Sequence, residues 1–218
     1  MKVLIFDAYG TLFNVLSPVE ILKDKKVDEN NLKHVSILWR QKQLEYTWTL
    51  TLMQHYMDFY EITKLALDYA LKKYNLYSLD IRNTLLDAYE CLGCYDDVLE
   101  SLQYFRENNY TSVILSNATY KMLEKALNYN KISNYIDNII SVDDIKIYKP
   151  HPEVYNYSIK RLNIKKEDIL FVSSNPWDIA GATSFGLEAI WLNRQNNVFD
   201  EYPFKPKKII NHLKAIVQ

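Results

Sequence analysis

The stretch Lys2-Val3-Leu4-Ile5-Phe6-Asp7-Ala8-Tyr9-Gly10-Thr11-Leu12 decides the fold. Residues 2–6 form a short run without polar alternation, as in a strand covered on both faces. A carboxylate and a small-residue turn follow, which puts Asp7 at the sheet edge and lets Gly10 relieve the bend. Similar apolar runs recur at 111–115, 138–142, 169–172 and 189–192, with helical stretches at 97–108, 120–129, 152–162 and 177–185. Strands alternating with helices imply βαβ units, hence an α/β fold with a Rossmann-like parallel sheet. Ligands of such sheets bind beyond the carboxyl ends of the strands, so the polar residues just after each apolar run are the ones to weigh.

Residues 15–95 break this rhythm with about eighty residues of helical pattern. A crossover between parallel strands needs only a dozen or more. An inserted helical cap over 15–95 is therefore expected, with 1–14 and 96–218 forming the core domain. The aromatic-rich stretch 39–60, with Trp39, Tyr46, Trp48, Tyr56 and Phe59, reads mainly as cap core, and its exposed part is compatible with a homodimer.

Composition narrows the field. The 218 residues carry 26 basic and 27 acidic side chains, a formal net charge of −1. So even a balance argues against nucleic acid or an anionic membrane as partner. No run approaches the ~18 apolar residues of a membrane span, and no signal-peptide pattern is visible, so a cytoplasmic protein is expected. Glycine occurs only 4 times, and Gly10, Gly93, Gly181 and Gly186 are each expected where a side chain would not fit. The two cysteines form one Cys91-Leu92-Gly93-Cys94 motif with no second pair to complete a metal tetrahedron. They read as structural cysteines or a local disulfide. His34, His55, His151 and His212 show no metal-ligand spacing, and no metal or other cofactor is expected.

The strand ends carry Asp7, then Ser116-Asn117, then Lys149-Pro150-His151-Pro152, then Ser173-Ser174-Asn175-Pro176-Trp177-Asp178. Taken singly, each has a structural reading: a turn aspartate, helix caps, a solvated lysine, an acid in a helix first turn. Taken together they bring two carboxylates, an amine and hydroxyls to one crevice.

With these segments in hand, the sequence resembles the haloacid dehalogenase superfamily, and within it the L-2-haloacid dehalogenases. The resemblance rests on Phe-Asp-Ala-Tyr-Gly-Thr-Leu at 6–12, Leu-Ser-Asn at 115–117, Tyr-Lys-Pro-His-Pro-Glu-Val-Tyr at 148–155 and Val-Ser-Ser-Asn-Pro-Trp-Asp-Ile-Ala-Gly-Ala at 172–182. Most members of that superfamily are magnesium-dependent phosphatases, which resemble Asp-x-Asp-x-Thr in the first motif. Here the second acid is Tyr9, a poor acid near neutral pH. Ser174 replaces a fourth-motif carboxylate of the magnesium site, where a hard cation favours carboxylate oxygens. Both departures favour displacement of halide from carbon over phosphoryl transfer; a phosphatase and a non-enzymatic scaffold are the competing readings.

The resemblance implies that Asp7 attacks the α-carbon of an L-2-haloalkanoate to form an ester, with inversion. Arg40 and Asn117 would hold the halide, and Ser116 with backbone amides after Asp7 the substrate carboxylate. Tyr9, Gln41, Leu44 and Phe59 would complete the pocket, with Gln41 and Leu44 expected on one helix face with Arg40. Lys149 would keep Asp7 ionised and Thr11 would hydrogen-bond it. Water activated by Asp178, in a network ordered by Ser173 and Asn175, would cleave the ester. Tyr155 and Trp177 are expected in the pocket or just behind it. The partners implied are a small haloacid and its halide product.

Overall fold

The computed structural model describes residues 3–25 and 28–217. The first strand, β1 (Val3–Phe6), is buried at all four positions, as its unbroken apolar run requires. A 3-10 segment (Ser17–Lys25) and three helices follow: α1 (Glu29–Leu52), α2 (Phe59–Lys73) and α3 (Leu79–Glu90). Their starts are set by side chains. The Asp28, Asp58 and Ser78 side chains accept from the amides of Asn31, of Tyr60 and Glu61, and of Ile81 respectively. The chain then alternates through α4 (Val98–Glu107), β2 (Thr111–Ser116), α5 (Tyr120–Tyr129), β3 (Asn138–Ser141), α6 (Pro152–Leu162), β4 (Ile169–Ser173), α7 (Pro176–Phe185), β5 (Glu188–Leu192) and β6 (Lys208–Ile210).

Among the described residues six parallel strands form one sheet, in the order β3-β2-β1-β4-β5-β6. Phe6 of β1 pairs with Ile114 on one side and Val172 on the other. This register brings Asp7, Ser116 and Ser173 to one edge, beside the point where the strand order reverses. The five expected strands and four expected core helices are present to within about two residues. The sixth strand was not expected: it has three residues, of which only Ile210 is buried.

The helical segment rejoins the sheet through a short antiparallel bridge between Phe13 and Cys94, where Asn14 N donates to Gly93 O and Tyr95 N to Leu12 O. Cys91 and Cys94 stand there as free thiols, which corrects the disulfide alternative. Burial pushes the Cys94 thiol up to about 12, so it is an inert packing group. Gly93 has open space where a Cβ would sit, contrary to the expectation for every glycine. Gly10, at φ +94°, does occupy a left-handed turn. Residues 39–60 show little exposed aromatic surface: Trp39 and Phe59 are buried and Trp48 and Tyr56 partly so, while Leu52 and Met53 are the exposed apolar groups. Among the described residues no helix is long and apolar enough to cross a membrane.

Candidate active site

Asp7 is the first residue beyond β1, pinned by its amide to Val172 O on β4 at 2.9 Å. Its carboxylate is nearly enclosed, and each oxygen is held. Oδ1 accepts from Lys149 Nζ at 3.0 Å; Oδ2 accepts from Thr11 Oγ1 at 2.8 Å and Asn175 Nδ2 at 2.8 Å. Thr11 sits four residues on because the turn at Ala8–Gly10 folds the chain back, and its hydroxyl also accepts from Ser174 N at 2.9 Å. Ser173 Oγ accepts from Asn175 N at 3.1 Å, which fixes the start of α7.

Lys149 is fully buried, and its ammonium bridges two acids, reaching Asp178 Oδ2 at 2.9 Å. A buried cation needs such partners. Burial alone would lower its pKa; Asp178 and then Asp7 outweigh that and hold it above the usual range. Asp178, on the first turn of α7, is also fully buried, and Tyr155 donates to its Oδ1 at 2.7 Å. Burial pushes Asp178 up to about 6, against the pull of Lys149 and with a further push from Asp7. Gly181 lets α7 approach this closely, since a Cβ there would lie 2.5 Å from Pro150 Cβ and 2.6 Å from Tyr155 Oη.

Asp7 opens onto a chamber lined also by Tyr9, Arg40, Leu44, Phe59, Ser116, Asn117, Ala118 and Trp177. Its volume is about 10 Å³, room for roughly one water-sized group. The Arg40 guanidinium is aimed by two bonds, Nη1 to Gln43 Oε1 at 2.8 Å and Nη2 to Tyr9 O at 3.0 Å. Arginine has five N–H donors, so these two leave others for the chamber. Asn117 is held by Lys149 N, which donates to its Oδ1 at 3.0 Å, while its Nδ2 is buried without a partner. A buried donor left unpaired can take an acceptor that enters the chamber. Ser116 Oγ accepts from Ala118 N at 3.1 Å. The Tyr9 ring stacks on Tyr89 at 5.7 Å, and burial pushes its phenol well above the usual value, leaving it a worse proton donor still.

One expected placement needs correction. Gln41 is exposed and does not line the chamber; Gln43 takes the buried position. Neighbours on a helix point about 100° apart, whereas Gln43 lies three residues from Arg40 on the same face. Gln43 also donates to Thr63 Oγ1 at 2.6 Å and to Tyr89 Oη at 3.1 Å, so it ties α1 to α2 and α3. Of the two expected places, Trp177 takes the chamber wall and Tyr155 the position just behind it, on Asp178. Asp178 itself does not line the closed chamber; it stands behind Lys149. Sequence reasoning also passed over Arg194, whose Nη1 donates to Thr11 O at 2.8 Å while Nε and Nη2 grip Asp97.

A strand end bearing an aspartate, a lysine between two carboxylates, and helices beside them define a class. Residues 1–186 match the haloacid dehalogenase-like hydrolase family, and the chain belongs to it. It is 43 % identical over 209 residues to (S)-2-haloacid dehalogenase 1 of Pseudomonas sp. (strain CBS-3), covering 95 % of this chain and 91 % of that one. It is 41 % identical over 211 residues to (S)-2-haloacid dehalogenase 4A of Burkholderia cepacia, covering 95 % and 89 %. Among solved structures, the L-2-haloacid dehalogenase of Xanthobacter autotrophicus with chloropropionic acid covalently bound superimposes with a TM-score of 0.88 at 28 % identity, over 99 % of this chain and 96 % of that one.

Proposed function

We propose that the protein hydrolyses (S)-2-haloalkanoic acids to the 2-hydroxy acids of inverted configuration through an ester on Asp7. One observation carries this: the Asp7 carboxylate shares a single small chamber with Arg40 and the unpartnered Asn117 amide, a nucleophile together with donors for a departing anion. In the first step an Asp7 oxygen bonds to the α-carbon as the carbon–halogen bond breaks, and halide leaves toward Arg40 and Asn117. A halide needs no general acid, which suits the high-pKa Tyr9. Ser116 and the amides of Ala8 and Tyr9 take the substrate carboxylate; those of Gly10 and Thr11 already donate to Phe13 O and Ala8 O. In the second step water adds to the Asp7 carbonyl carbon and gives a proton to Asp178. The bond from that carbon to the bridging oxygen then breaks, the bridging oxygen takes the proton from Asp178 to become the product hydroxyl, and the Asp7 carboxyl loses its remaining proton to solvent. A carboxyl pushed up to about 6 is a better base than an ordinary one.

Helices α1 to α3, with residues 15–95 as their bounds, act in this reading as a cap that supplies Arg40, Leu44 and Phe59. Metal independence is supported by the Lys149 ammonium between Asp7 and Asp178. The two free thiols support a cytoplasmic setting. Exposed Ile37, Leu65 and Tyr69 on α1 and α2 support pairing of two copies.

Chloride release from (S)- and (R)-2-chloropropionate, with and without EDTA, tests the reading. Release from the S enantiomer alone, untouched by EDTA, is expected. Inhibition by EDTA with recovery in Mg²⁺, and turnover of a phosphate ester, would establish a phosphatase instead.

A further inference from the structure

The chamber beside Asp7 accepts about one water-sized group, yet behind one of its walls lies a cavity of about 350 Å³. That wall is Trp177, which lines both spaces. Beyond it stand Trp48, Thr51, Leu52, Tyr148 and Tyr202, a mainly apolar lining that reaches solvent beside Leu52, 83 % exposed. Arg40, another residue of the chamber wall, also borders a space of about 550 Å³ of mixed lining, with Asn193, Arg194 and Gln195 beside Leu16, Trp191 and Val198.

The two sides of the apolar cavity are fastened differently. Tyr148 is fixed, its hydroxyl donating to Met57 O at 2.5 Å and its amide to Thr51 Oγ1 at 3.3 Å. Trp48 meets Trp177 edge to face, with centroids 5.6 Å apart, and its Nε1 is buried with no partner. Ring packing alone therefore holds the indole that backs Trp177.

We propose that this cavity receives the Trp177 indole, whose turn into it opens an alkyl-chain subsite beside the chamber for 2-haloalkanoates longer than three carbons, and that Trp48 is the specificity-determining residue governing that turn. The inference rests on the dehalogenase reading above. Each methylene buried there improves binding about fourfold, from ~0.8 kcal/mol per CH₂. The chain occupies the space vacated by the indole, while the carboxylate and halogen keep their places beside Ser116, Arg40 and Asn117.

The test is bromide release from (S)-2-bromopropionate and (S)-2-bromohexanoate, compared as kcat/KM. Trp48→Ala is expected to raise the hexanoate-to-propionate ratio about tenfold with the propionate value within about twofold. Leu52→Trp, at an exposed position that leaves folding untouched, fills the cavity mouth and is expected to lower the ratio by a similar factor. Ratios within twofold of the unaltered protein, both substrates moving together, or a hexanoate that stays inert throughout would overturn the proposal. If Trp48→Ala does not fold, Leu52→Trp decides alone. Failure of the dehalogenase reading looks different, since the unaltered protein would then release no bromide from bromopropionate.

Discussion

Replacing Lys149 by Met removes the one cation that touches both Asp7 and Asp178, at 3.0 and 2.9 Å, in a fully buried position. Breaking a buried ion pair by deleting one partner typically costs about 3–5 kcal/mol, because the remaining charge is left uncompensated. Here the penalty depends on pH. Asp178 already stands at about 6 against 3.8 for an ordinary aspartate with Lys149 present, and losing the lysine raises it further. An acid whose folded pKa is raised stabilises the fold at low pH, and that contribution is lost as pH rises through the folded value. Keeping Asp178 protonated in the variant costs ~1.4 kcal/mol per pH unit above its ordinary value, so roughly 5–6 kcal/mol at pH 8 but 1–2 at pH 5. In the unaltered protein the corresponding penalty levels off near 3 kcal/mol above pH 6. Urea unfolding should therefore show Lys149→Met destabilised by about 3–5 kcal/mol at pH 8, with roughly 2–3 kcal/mol of that loss gone at pH 5. A loss below about 1 kcal/mol at pH 8, or one unchanged at pH 5, would refute this charge arrangement.

Other outcomes follow from the same geometry. Tyr155→Phe deletes the hydroxyl that donates to Asp178 Oδ1 and helps hold its pKa down. The rise of kcat with pH should then shift upward from near 6, at a stability cost of about 1 kcal/mol; an unmoved profile would exclude Asp178 as the base. Gly181→Ala drives a methyl to 2.5 Å from Pro150 Cβ, so thermal unfolding should report a loss of about 1–3 kcal/mol. Asn117→Ala removes the unpartnered amide and is expected to lower halide release about 10²-fold, the scale of losing one donor to a developing anion, whereas Gln41→Ala, at an exposed position, should leave it unchanged.

The sheet was legible because its strands are apolar on both faces and stop abruptly at polar residues: Phe6 before Asp7, Leu115 before Ser116, Val172 before Ser173. Position in sequence then became position at one edge. The segment β6 escaped because a three-residue edge strand with one buried side chain leaves almost no pattern. Within the site, residues tied to strand ends were readable, since a strand end has a fixed place. Residues on α1 were less so. Placing Gln41 in the pocket missed the helix phase, because adjacency in sequence is a poor guide to a shared face. How deep Tyr155 and Asp178 lie was left open, because depth depends on how closely α7 packs, and that is set by Gly181. The gap around Trp177 has no sequence signature: it is a property of what Trp48 and Tyr148 leave unfilled.

A single turnover of (S)-2-chloropropionate by excess protein in ¹⁸O-enriched water, followed by peptide mass analysis, tests the ester most directly. Heavy oxygen incorporated into the Asp7 carboxylate, with unlabelled lactate, is the expected result. Label in the lactate alone, with Asp7 unchanged, would contradict attack by the aspartate and leave direct hydrolysis by water in its place.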